Sequence, residues 1–127
     1  MKRFAIVFFI SVITCVILVS GCAKHRAEKT AEELAVEGQS LFEQKDYREA
    51  INTYERLRDW YPFSVHAKEA KLRVADAHYL LEEYDQAIVA YQTYYQLHPT
   101  DSQIPYVLYQ IGRCDLRQQC AQNQRNA

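Results

Sequence analysis

Glycine and proline are scarce in this chain, with three of each in 127 residues. Tight β-hairpin turns depend on such residues, so an all-β architecture is disfavoured. An excess of basic charge is also missing: 15 Lys and Arg stand against 16 Asp and Glu, a formal net charge of -1. That excludes the basic footprint of a nucleic-acid-binding domain, and no nucleic-acid partner is expected. No stretch alternates apolar and polar residues in the manner of a strand. His25, His66, His78 and His98 are scattered, and none sits with Cys or carboxylates at metal-ligand spacing. No Gly-rich phosphate loop, Ser/His/Asp set or Cys/His set is present either. The chain is read as non-catalytic, with no cofactor and no metal.

Ala, Leu, Glu, Gln and Arg are common, which favours helix. Tyr supplies 10 of the aromatic rings, so tyrosines pack or bind something. The length allows one domain, since domains typically run to ~100–150 residues.

The N-terminus is an address. Met1-Lys2-Arg3 is basic, and Phe4 to Val19 is apolar apart from Ser11 and Thr14. Small residues follow, as in a secretory signal too short to span a membrane comfortably, which takes ~20 residues. Val19-Ser20-Gly21-Cys22 resembles a bacterial lipobox. The resemblance implies cleavage before Cys22 and acylation of its thiol, the nucleophile able to carry a thioether-linked diacylglycerol. Several acyl chains, at ~0.8 kcal/mol per buried methylene, anchor stably where one is marginal. Ala23, not Asp, follows the cysteine, which in the sorting pattern this resembles implies the outer membrane. Residues 1–21 are thus expected as signal peptide, and the charged stretch 22–30 as a flexible tether.

Comparing the chain with itself gives an offset of 37 residues. Gly38, Ala75 and Gly112 align, as do Tyr47 and Tyr84, Ala50 and Ala87, Tyr54 and Tyr91, and Pro62 and Pro99. The small residues are expected where helix backbones approach closely, with Tyr54 and Tyr91 filling the space beside them. Pro62 and Pro99 stop the second helix of each unit. Each unit is a helix–turn–helix hairpin that must stack on its neighbour to bury its apolar face.

This constellation resembles a tetratricopeptide repeat. The expected fold is an all-α helical solenoid of two full repeats, Ala31–Ser64 and Lys68–Asp101, plus the first helix of a third. Val65, His66 and Ala67 stretch the period beyond the usual ~34 residues by extending the next helix, with Ser64 as N-cap. Helices are expected over 31–44, 47–60, 65–81, 84–97 and 104–118. Asp46 caps the second, with Glu49 in capping-box position, and Pro105 sits in the first turn of the fifth, where its missing N–H costs nothing. Repeats thus occupy 31–118 and a polar tail 119–127. Cys114 is expected as a small core residue and Cys120 as a free thiol. Six residues along one helix is a rise of ~9 Å, beyond the ~7 Å limit for a disulfide, so a bridge would need the helix to fray.

Three strings carry a closer resemblance: Asp46–Ile51 with Trp60–Ser64, Leu72–Tyr79, and His98–Gly112. With the lipobox they look like the BamD-type lipoproteins of the outer-membrane β-barrel assembly machinery. The similarity runs from Cys22 to about Arg117. Family members continue into further repeats, so the resemblance implies either a truncated or frameshifted gene product or a divergent short form; a stack ending on a lone first helix, one apolar face without its hairpin partner, favours the first. It also implies two kinds of partner besides the membrane held by the lipid: other subunits of the assembly complex, and C-terminal peptides of unfolded barrel precursors. Positions two, five, nine, twelve and thirteen of each repeat line the peptide groove of such folds. The residues of interest there are Phe42, Leu72, Tyr79, Leu80, Tyr106, Tyr109, Arg113 and Arg117. Aromatic rings would take a precursor's apolar side chains, and Arg113 or Arg117 its terminal carboxylate. Tyr54, Tyr61 and Tyr91 are assigned to packing. The alternative is a general repeat-protein lipoprotein adaptor in pilus biogenesis or cell-envelope coordination.

Overall fold

A computed structural model describes residues 29–126. The signal peptide, Cys22 and most of the tether lie outside the described residues. Five helices follow one another: α1 (Ala31–Glu43), α2 (Tyr47–Trp60), α3 (Val65–Leu80), α4 (Tyr84–Leu97) and α5 (Ile104–Asn126). Each packs on the next, and α1 also touches α3. The all-α, repeat-like stacking agrees with the sequence pattern, and the described residues contain no strand.

Local chemistry sets the helix limits. α2 and α4 stop at Tyr61 and His98, the residues before Pro62 and Pro99, with nearly identical backbone angles (φ -130 ψ 56 and φ -136 ψ 57). A following proline disfavours the α region for the residue before it. The next helix then starts the same way twice. The Ser64 hydroxyl accepts from His66 N–H at 3.2 Å, and the Asp101 carboxylate accepts from Gln103 N–H at 2.8 Å. The turn inside each hairpin repeats as well. Asp46 N–H donates to Leu41 C=O and Lys45 N–H to Phe42 C=O; Glu83 and Glu82 do the same to His78 and Tyr79. This pair of hydrogen bonds closes a helix C-terminus through a left-handed residue, normally glycine. Here Lys45 (φ 63) and Glu82 (φ 61) occupy that place.

Two expectations about helix ends are corrected. The reciprocal capping box forms at Thr30 and Glu33 rather than at Asp46, whose carboxylate only accepts from Glu49 N–H. And α5 does not stop at 118: it continues as an exposed polar helix to Asn126. Its last turns are rich in Gln and Arg, good helix formers with no breaker among them.

The core has two parts. Leu34, Ile51, Tyr54 and Leu57 pack against Ala67, Ala70, Val74 and Ala77 of α3. Leu72 and Ala75, on the other side of α3, pack against Ala87, Tyr91, Tyr94, Val107 and Cys114. α3 is therefore enclosed on two sides, which its run of alanines permits because each lets a neighbouring backbone approach. Tyr54 and Tyr91 are buried, as expected of packing residues, and burying a large side chain is worth roughly 1.5–3 kcal/mol. Tyr61 is half-buried, and its hydroxyl donates to the Lys29 carbonyl at 2.8 Å. Gly38 lies under the Tyr54 ring, so the close approach is real there. At Gly112 it is not: an added Cβ would meet nothing within 4 Å. The helix that would supply an aromatic ring at that repeat position is not among those described, and Leu108, Tyr109 and Leu116 beside Gly112 are exposed.

Candidate functional site

The first helix of each unit, α1, α3 and α5, contributes to one face, which carries two clefts of about 540 Å³ each. One lies between α1 and α3, where Val36, Gln39 and Glu43 face His66 and Arg73. The other lies between α3 and α5, where Lys68, Leu72 and Asp76 face Gln103 and Tyr106. Glu69 and Arg73 border both, so the clefts form one interrupted groove.

Arg73 is the ridge between them. Its guanidinium lies 5.5 Å from the Phe42 ring centroid, 3.4 Å from the Glu69 carboxylate and 4.0 Å from Asp76. Farther along, Arg113 sits 4.7 Å from the Tyr79 centroid and 5.7 Å from that of Tyr109, and donates to Gln110 Oε1 at 3.0 Å. Two guanidinium groups therefore cover two aromatic rings of the same repeat position, an arrangement worth ~0.5–1 kcal/mol at exposed sites.

Beneath the second cleft, the Asp76 carboxylate accepts from the Tyr91 hydroxyl at 2.6 Å and the Tyr106 hydroxyl at 2.8 Å. Gln110 Nε2 donates to the Tyr106 oxygen at 2.7 Å. Three helices are thus tied to one carboxyl. Burial pushes Asp76 above its ordinary value, against the lowering effect of the two hydroxyls and Arg73. The same burial raises Tyr91 far above the usual phenol range and raises Tyr106 as well. At the rim, the Lys68 ammonium 2.5 Å from Asp101, helped by the Gln103 N–H, holds that carboxyl down at about 2.

The eight residues marked by repeat position do not share one environment. Tyr106 and Leu72 line the second cleft, Leu72 as a buried core member forming its floor. Phe42 and Tyr79 are half-buried: each meets the first ring of the next helix edge-on, Tyr47 at 5.2 Å and Tyr84 at 5.7 Å. Leu80, Tyr109 and Arg117 are exposed but border neither cleft, and Arg113 is half-buried on its two rings. Residues the aromatic criterion passed over line the groove instead, notably Gln39, Glu69 and Arg73. Gln39 and Glu69 stand at repeat positions nine and two, so the register marked them; polarity made them look like solvated surface.

A larger cleft of about 680 Å³ lies on the opposite face, between α2 and α4 over α3, with Val74, Val89, Ala90 and Leu97 on its walls. The outward-facing apolar residues of α4, Val89 and Leu97, are the signal for it in the sequence. Nearby, Glu83 accepts from Arg48 at 2.6 Å and lies 2.7 Å from His78 Nδ1, which joins the two hairpins. His78 is an interface residue.

Chemically, this surface offers apolar walls and paired charges. Burial pushes the Cys114 thiol up to about 11, and Cys114 and Cys120 are both free. Among the described residues no group of His, Cys, Asp or Glu is placed to hold a metal ion, and no helix is long and apolar enough to cross a membrane.

Residues 27–126 match the family model YfiO, described as outer membrane lipoprotein. The chain is 34% identical over 83 residues to a Neisseria gonorrhoeae protein named outer membrane protein assembly factor BamD, covering 65% of this chain and 31% of that relative. A Pasteurella multocida protein of the same name is 27% identical over 112 residues, 88% of this chain and 43% of its own length. A third, from Xylella fastidiosa, is 25% identical over 101 residues. The chain spans less than half the length of these curated relatives.

Proposed function

From the membership of this chain in the YfiO family of outer membrane lipoproteins, we propose that it is a non-catalytic component of outer-membrane protein assembly, a helical scaffold that holds unfolded barrel precursors or partner subunits. In this reading, Cys22 carries the lipid and the folded part lies at the periplasmic face of the outer membrane. The groove of α1, α3 and α5 takes an extended peptide. Apolar side chains of the peptide lie against Val36, Leu72 and Tyr106 and a carboxylate meets Arg73, while Arg113 and Arg117, outside both clefts on α5, take the C-terminal carboxylate where the peptide runs on past the groove. One observation carries this reading: the two clefts meet at Arg73, a guanidinium stacked on Phe42 with Glu69 at 3.4 Å and Asp76 at 4.0 Å.

A fluorescent peptide with the alternating, aromatic-ending sequence of a barrel precursor's last strand tests this by titration. Removing one charge-assisted contact costs ~1.5–3 kcal/mol, so Arg73→Gln and Arg113→Gln should each weaken binding about 10–100-fold. Val89→Ser, on the opposite face, should leave it unchanged. The reverse pattern moves the site to the α2–α4 cleft. A pull-down recovering only pilus or peptidoglycan-synthesis proteins, with no barrel-assembly subunit, turns the assignment to a general adaptor.

A further inference from the structure

The corner between α2 and α3 presents three large apolar side chains to solvent: Phe63 is 100% exposed, Val65 86% and Trp60 47%. They do not belong to either cleft of the groove. The corner is stiff. Pro62 ends α2, Ser64 N–H donates to Tyr61 C=O at 3.0 Å, and the Ser64 hydroxyl caps α3. Phe63 is therefore held outward by a built turn, with no packing return for its exposure.

The chain also enters the fold at this corner, because the Tyr61 hydroxyl grips the Lys29 carbonyl. From Cys22 to Lys29 is seven residues, which span at most ~25 Å when fully extended. Any anchor at Cys22 keeps this edge, and no distant one, close to the bilayer surface, where tethering raises its effective concentration. The approach carries Lys24 and Arg26 against the single acid Glu28, suited to anionic headgroups, while Lys29 is paired with Glu37 at 2.6 Å. Arg56 lies 5.0 Å from the Trp60 ring centroid, so a cation flanks the ring. An aromatic with an adjacent cation is the composition favoured at the headgroup boundary.

We propose that the Trp60–Phe63–Val65 corner is a lipid-docking site that seats the folded domain on the membrane surface and so fixes the direction in which its groove opens. The proposal rests on the reading of Cys22 as the lipid anchor, but it has its own readout. Trp60 is the sole tryptophan of the chain, so its emission reports this corner alone.

The full chain, lipidated in a bacterial host, is added to vesicles of phosphatidylethanolamine with phosphatidylglycerol, with and without brominated acyl chains. The expected result is a blue shift of Trp60 emission and its quenching by the brominated lipid. Phe63→Ser with Val65→Ser should abolish both while the protein still floats with the vesicles and keeps its helical circular dichroism. Unshifted and unquenched emission from vesicle-bound parent protein overturns the docking site and leaves the anchor standing. A Cys22→Ser chain that floats as well as the parent overturns the anchor reading, and quenching of Trp60 in that chain still decides the corner. Failure of every form to bind vesicles overturns the docking site too. A shift produced by unfolded barrel precursor and not by lipid reassigns the corner to protein recognition.

Discussion

The ring of Tyr54 lies so close over Gly38 that a Cβ on Gly38 would stand 2.7 Å from Tyr54 Cε1. Tyr54 is itself buried, with its hydroxyl directed to Gln39, so the ring has little room to withdraw. Gly38→Ala should therefore destabilise the fold. Overpacking costs typically 1–3 kcal/mol, offset by about 1 kcal/mol of improved helix propensity. Gly112, at the same repeat position, meets nothing, and Gly112→Ala should stabilise by about 0.5–1 kcal/mol. Urea unfolding of the two variants checks the contrast, and equal signs would show that the repeat positions are packed alike.

Lys45 and Glu82 both hold left-handed backbone at the hairpin turns. A residue with a Cβ loses roughly 1–2 kcal/mol there, while glycine costs up to ~1 kcal/mol more in unfolded-chain entropy. Lys45→Gly or Glu82→Gly should stabilise by a net ~0.5–1 kcal/mol and raise the denaturant midpoint accordingly, and Lys45→Pro should lower it.

Asp76 joins three helices through Tyr91 and Tyr106. Tyr91→Phe strips a hydrogen bond from a buried carboxyl that water cannot easily replace, a loss of ~1.5–3 kcal/mol. Tyr106→Phe should cost less, because that ring reaches solvent. The pH dependence has a definite sign. Burial raises the Asp76 pKa above its ordinary value of 3.8, so its contribution is fully present below that value and lost as pH rises through the folded pKa. The parent should thus lose stability relative to Asp76→Asn as pH rises from acid, and thermal melts of the two across that range test it.

Asp101 runs the other way. Lys68 holds its carboxyl down at about 2, so its contribution is present above the ordinary value of 3.8 and lost as pH falls through about 2. Asp101→Asn should lower the neutral plateau and flatten the acid limb of the stability curve between those values, so that parent and variant converge toward pH 2. Since Asp101 also caps the start of α5 through Gln103 N–H, a hydrogen-exchange map should show α5 amides opening first in that variant.

Much of this fold is legible from one dimension because its signals are local. Pro62 and Pro99 act on the residue before them, Ser64 and Asp46 cap the next turn, and the 37-residue offset sets which hairpin stacks on which. Where the local signal is weaker, the structure departs from the pattern. Nothing in the polar run after Arg117 breaks a helix, so α5 goes on to Asn126. Gly112 repeats Gly38 in sequence, yet a small residue marks a close approach only where a ring arrives to fill it.

The groove was only half visible. Repeat position identifies α1, α3 and α5 as its walls, but not which rings stay free. Phe42 and Tyr79 are covered by Arg73 and Arg113, residues 31 and 34 positions away along the chain, and no local pattern announces those stacks. Helix limits and stacking order were determined by the sequence itself, since they depend on neighbours a few residues apart. The clefts, the Asp76 hub and the outward corner at Phe63 were decided by the tertiary structure, since burial of a side chain depends on what other helices bring against it.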